Sequence, residues 1–109
     1  MSLARLKDIQ RLPVNLGFLD TSSVQVLDGT SASAATTNIA QDEEKGVLIT
    51  SEESFHIEIG ENPTATTSSQ LLPAGIYETG IAANDEIAVI KAASATAGLV
   101  YISQYKKTL

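Results

Sequence analysis

Phe55-His56-Ile57-Glu58-Ile59 alternates apolar and polar residues with period two, the pattern of a β-strand that buries one face. A helix would instead place its apolar residues three and four apart. Val24-Gln25-Val26 repeats the alternation more briefly. Val47-Leu48-Ile49, Glu86 to Ala92 and Leu99 to Tyr105 are rich in β-branched or aromatic residues and carry apolar groups on both faces. These three runs read as strands covered on both sides. Asp28-Gly29, Lys45-Gly46, Gly60-Glu61-Asn62-Pro63, Pro73-Ala74-Gly75, Asn84-Asp85 and Ala97-Gly98 separate the runs. Gly and Asn tolerate positive φ and Pro fixes φ, so each cluster can reverse the chain.

Short strands punctuated in this way imply an all-β fold, a small antiparallel β-sandwich or barrel of jelly-roll-like form. Helix is limited to Leu3–Arg11, where Leu3, Leu6 and Ile9 recur every third residue, and Pro13 would end it. The expected organisation is an N-terminal arm, residues 1–12, followed by a single β domain, 13–109. Residues 29–41 and 62–70 are small and polar and fit neither template. They read either as long surface loops or as strands that pack closely because their side chains are small.

With two Phe and no Trp in 109 residues, the core must be built from Val, Ile, Leu and Ala. Cys is absent, which excludes a disulfide framework and thiolate metal ligation. No apolar run is long enough to span a bilayer as a helix, and Met1 to Leu12 lacks the apolar stretch of a signal peptide. Folding in the cytoplasm is therefore expected, without contact with membranes.

The net charge of −6 argues against a nucleic-acid partner, because affinity for phosphate backbones comes from clustered cations. Those cations sit at the two ends. Arg5, Lys7 and Arg11 lie in the first eleven residues, and Lys106 and Lys107 stand near the last. Between them, Lys45 and Lys91 face a dozen carboxylates. Basic ends on an acidic body either keep the ends solvated or grip an acidic neighbour. The second reading makes Arg5, Lys7, Arg11, Lys106 and Lys107 the candidate partner-binding residues.

Catalytic inventory is thin. His56 is the one histidine, and strict alternation turns it away from the core toward solvent or an interface. Asp42-Glu43-Glu44 and Glu52-Glu53 offer oxygen ligands for a hard cation, but neither matches a calcium-binding loop, so they read as acidic turns. No glycine-rich phosphate cradle occurs. Tyr77, Tyr101 and Tyr105 each offer an apolar face with a polar tip, for a core edge or a sugar. Tyr101 and Tyr105, four apart on one strand, should share a sheet face. The expectation is a binding module with no catalytic residue, no metal site and no cofactor.

Ile57-Glu58-Ile59-Gly60-Glu61-Asn62-Pro63-Thr64-Ala65, then Leu71-Leu72-Pro73-Ala74-Gly75, then Asp85-Glu86-Ile87-Ala88-Val89-Ile90, and Gly98 before Leu99-Val100-Tyr101-Ile102, resembles short β-rich structural proteins of tailed bacteriophages. The likeness covers residues 55–103 and consists of turns and core positions, not of a site. Among such proteins the chain looks most like head decoration, or cement, proteins. That resemblance implies a virion protein on the capsid exterior, bound to the major capsid protein and bridging capsomers as a homo-dimer or homo-trimer. Components of tails and fibres share the pattern, and such a component, or a glycan-binding adhesion module, remains the alternative. Residues 1–54 carry no such likeness.

Overall fold

The computed structural model describes residues 17–107, and among these every regular element is a strand. There are eight: β1 (Phe18–Asp28), β2 (Ala34–Ala35), β3 (Lys45–Ser51), β4 (Phe55–Gly60), β5 (Gln70–Leu72), β6 (Gly75–Ile81), β7 (Glu86–Lys91) and β8 (Leu99–Lys106). They form two antiparallel sheets, β1-β8-β3-β6 and β2-β7-β4-β5. Consecutive strands mostly alternate between the sheets, and the interlocked order is that of a jelly roll. The fold class expected from the sequence is the one observed. The expected helix at Leu3–Arg11 lies outside the described residues.

Alternation decides which side chains meet. Val47 and Ile49 of β3, Val100 and Ile102 of β8, and Leu27 of β1 point inward from the first sheet. Phe55 and Ile57 of β4 and Ile87 and Val89 of β7 meet them from the second. The largest fully buried side chains are aliphatic apart from Phe55, as the composition requires. Tyr77 of β6 reaches across the sandwich to pack edge-on against Phe55, with centroids 6.2 Å apart and planes at 72°. The space between the two sheets is thus filled by these side chains.

Both small-residue segments are packed against the body. Ala34 and Ala35 pair with Val89 and Ala88 as β2, and Ile39 and Ala40 enter the core. Glu86 holds this stretch through bonds from Thr36 Oγ1 at 2.7 Å and Asn38 N–H at 2.9 Å. Gln25 grips it from the other sheet, accepting from Thr37 N–H at 3.0 Å and donating to Thr37 O at 2.8 Å. Residues 62–70 fold back over the outer face of the β7-β4 pair, burying Ala65 and ending in β5.

That cover corrects the expected exposure of His56. Its side chain leaves the core side of β4 as alternation demands, yet it is buried, with Nδ1 at 3.0 Å from Ser69 O. Exposure follows from tertiary cover as well as from strand period, and here the returning segment supplies the cover. β6 was a further omission of the sequence reading, which took its first residues only as a turn. Its Gly, Glu and Thr content dilutes the strand signal.

One end of the sandwich is closed by two buried glycines in backbone contact. Gly29 donates to Gly98 O at 2.8 Å, and Gly29 O accepts from Lys91 N–H at 3.0 Å. A Cβ on Gly98 would lie 2.7 Å from the Gly29 carbonyl carbon, so both positions require the missing side chain.

Candidate partner-binding surface

The sequence marks β3, β7 and β8 as strands covered on both faces, and the structure treats them differently. β7 is covered on both: Ile87 and Val89 face the core, while Ala88 lies buried beneath the returning segments. The outer face of the β1-β8-β3-β6 sheet has no such cover among the described residues. Residues directly opposite in an antiparallel ladder share a face, so Val26, Tyr101, Thr50 and Ile76 form one row across all four strands. Val26 is 52% exposed, Tyr101 41% and Ile76 70%. Leu19, Val24 and Leu99 extend the same face and are also exposed.

Among the described residues, six of the nine large apolar side chains that reach solvent therefore lie on this one face. Solvent exposure of single apolar residues is ordinary, but their concentration on one sheet face marks an interaction surface. Charge is sparse there as well. The ionisable acids on the face are Asp28, at its β1 border, and Glu78 on β6. Glu78 accepts a hydrogen bond from the Tyr105 hydroxyl. Tyr105 crosses β3 at Gly46 to make that bond, and burial, with Glu78 beside it, pushes its phenol up to about 12. Tyr101 and Tyr105 share a face as expected, one open and one covered.

The candidate basic residues divide. Arg5, Lys7 and Arg11 lie outside the described residues. Lys106 ends β8, where it pairs with Phe18, and Lys107 follows it. Gly17 packs so closely that a Cβ there would meet Lys106 O at 2.3 Å. The described chain therefore begins beside Lys106 and Lys107, at one corner of the first sheet. A cleft of about 500 Å³ opens at that corner, bordered by Glu43, Glu44, Lys45, Gly80, Ile81, Tyr105, Lys106 and Lys107. Glu43 lies 3.6 Å from both Lys45 and Lys107, so one carboxylate is shared between two ammonium groups. Lys107 keeps 80% of its side chain exposed, and such a pair contributes little to stability.

Of the acidic residues that read as turns, Glu53 has a structural task, and Asp20 and Asp28 are engaged locally. Glu53 accepts from Thr96 N–H at 2.6 Å and Ala97 N–H at 3.2 Å, clasping the loop before β8. Asp20 and Asp28 are held below the ordinary carboxylate value mainly by bonds from Ser22 and Thr30. No metal-binding group of three or more side chains occurs among the described residues. Ser69 Oγ donates to Glu58 at 2.9 Å and accepts from Thr66 N–H at 3.0 Å, while His56 addresses the Ser69 carbonyl. Both bonding directions of that hydroxyl are engaged, and the group clasps the returning segment to β4. Tyr77, its ring in the core and its hydroxyl 2.6 Å from Pro73 O, is likewise structural.

Compared with known proteins, the chain matches no family model, no curated protein and no solved structure. The surface has therefore to be interpreted from its own chemistry.

Proposed function

We propose that the protein is a virion structural component of a tailed bacteriophage, a decoration or cement protein on the capsid exterior. It binds the major capsid protein through the outer face of the β1-β8-β3-β6 sheet and stabilises the head by bridging capsomers, without catalysis. The observation that carries this reading is the uncovered apolar face on strands whose sequence is that of strands covered on both sides. The turn pattern of residues 55–103 supplies the phage context. Jelly rolls recur in capsid and lectin domains, so the fold is compatible with the reading and does not select it.

The basic corner adds orientation. Lys106, Lys107 and the arm bearing Arg5, Lys7 and Arg11 meet an acidic strip on the shell, while the apolar row supplies contact area. A shell repeats its sites many times, so a homo-dimer or homo-trimer gains avidity from individually weak contacts. The protein is made in the host cytoplasm and neither nucleic acid nor membrane is its partner.

Co-sedimentation with heads lacking the protein tests this. Wild type pellets with the heads and raises their dissociation temperature. Val26→Lys and Tyr101→Lys, both at exposed positions, abolish pelleting with an unchanged melting temperature. Equal binding by these variants and wild type removes the sheet face from the proposal, and no binding by wild type removes the capsid. The alternative, a tail or fibre component that binds a glycan, is favoured by Tyr101, which borders a small depression with Glu52 and Leu99. In that case heads are ignored, and glycan binding is lost on Tyr101→Ala.

A further inference from the structure

We propose that the corner cleft is the docking site of this chain's own N-terminal arm, residues 1–12, and takes up the arm's apolar side. The floor of the cleft is bare backbone. Gly46 of β3 and Gly80 of β6 stand directly opposite each other in the ladder, and both line the cleft beside Tyr105. A Cβ on Gly80 would meet only Lys45 O, at 3.9 Å, so the space above it is open. Paired glycines on neighbouring strands let another segment approach as closely as the backbone allows. Tyr105, Ile81 and Ala82 give the cleft apolar surface, and Glu43, Glu44 and Lys107 border it.

Position, reach and charge identify the occupant. The described chain begins at Gly17, whose φ of 98° breaks the line of β1 beside Lys106. In the order β1-β8-β3-β6, Gly46 lies two strands across from that point and Gly80 three, about 10 and 14 Å. Leu12 to Leu16 reach about 17 Å when extended, enough to bring the arm over both glycines. Leu3, Leu6 and Ile9 form the apolar side of the segment that reads as helix, Leu3–Arg11. Nine helical residues measure about 14 Å, the width of β8, β3 and β6 together. Those three side chains enter the cleft, and Arg5, Lys7 and Arg11 stay at its rim. The arm brings three cations and Asp8 to a body in which residues 17–107 hold twelve carboxylates, from Asp20 to Glu86, against Lys45, Lys91, Lys106 and Lys107. An arm seated in this way gathers its cations beside Lys106 and Lys107, the basic corner on which the capsid proposal draws. Docking is nonetheless a property of the free protein and stands or falls separately from that proposal.

Trypsin cuts after Arg5, Lys7 and Arg11, and a docked segment is cut only from its undocked population. Gly80→Leu fills the cleft where the space is open, and Leu6→Asp removes the middle of the apolar side. Each should speed cleavage within the arm of the full chain roughly tenfold or more while the melting temperature stays near that of wild type. Equal cleavage in wild type and both variants would overturn the docking. The absence of cysteine permits a second readout. Leu6→Cys with Gly80→Cys should oxidise to a disulfide within one chain, at a rate independent of protein concentration. Leu6→Cys with Leu71→Cys, exposed on β5 of the other sheet, should not. Covalent dimers from the first pair would assign the cleft to the arm of a second copy, and equal cross-linking in both pairs would leave the arm without a seat. Either result overturns the proposal. None of these readouts uses heads: a docked arm without head binding spares this proposal and removes the capsid, and head binding by a chain whose arm is cut freely does the converse.

Discussion

Tyr105 shows how a residue read from the sequence as one of a pair acquires its own chemistry from neighbours. Its phenol is desolvated and donates to Glu78, so the protonated form is the one the fold favours. The folded-state value is raised to about 12 from 10.0. The stabilisation is thus fully present below pH 10 and is lost as pH climbs through about 12, since the unfolded chain releases the proton first. The difference between the ultraviolet titration curves of wild type and Tyr105→Phe should have its midpoint near 12. A midpoint near 10 would mean that the Glu78 contact is not made in solution. Loss of that bond in Tyr105→Phe should lower stability at neutral pH by about 1 kcal/mol. Asp20 and Asp28 run the other way. Their depressed values mean a contribution present above the ordinary carboxylate range and lost as pH falls further, through the folded-state values.

At the scale of elements, the segment from Gly29 to Gln41 is held by polar contacts that local pattern does not display. Glu86, the first residue of β7, gathers Thr36 and Asn38, and Thr36 Oγ1 accepts in turn from Ile87 N–H at 2.9 Å. A carboxylate offers two acceptors where Gln offers an acceptor and a donor, so Glu86→Gln leaves one of the two protons facing another proton. We expect a loss of about 1–3 kcal/mol. Amide exchange should accelerate first around Thr36 to Ala40, while Val47 to Ser51 in β3 keep their protection. Uniform acceleration across both regions would instead mean that the segment and the sandwich open together. Ile39 and Ala40, buried within this stretch, escape sequence inspection because they stand alone among small polar residues.

For the whole molecule, the arrangement separates two kinds of surface among the described residues: an acidic body with Lys106 and Lys107 at one corner, and a sheet face almost without charge. If the basic corner orients the protein on its partner, the association rate should fall as salt rises from 50 to 500 mM, over which the screening length shortens from roughly 14 to 4 Å. Lys106→Glu with Lys107→Glu should slow association and flatten that dependence, while dissociation, governed by the apolar row, changes little. An association rate insensitive to both salt and these substitutions would return the lysines to the role of solvated ends.

Strand period, turn residues and composition are local properties, and they suffice for the class of fold: β4, β7 and β8 are legible because Phe55–Ile59 alternates and Ile87–Ile90 and Leu99–Ile102 are unbroken apolar runs. They also supplied the basic ends. Only the tertiary structure decided which faces are covered. His56 is buried because the segment carrying Ser69, thirteen residues downstream, returns over it. Tyr101 and Ile76 are exposed because no described segment returns over theirs. Alternation assigns a side chain to a side of the sheet, whereas cover depends on where distant chain comes to rest, and that is set by the interlocked strand order and by contacts such as Gly29 on Gly98.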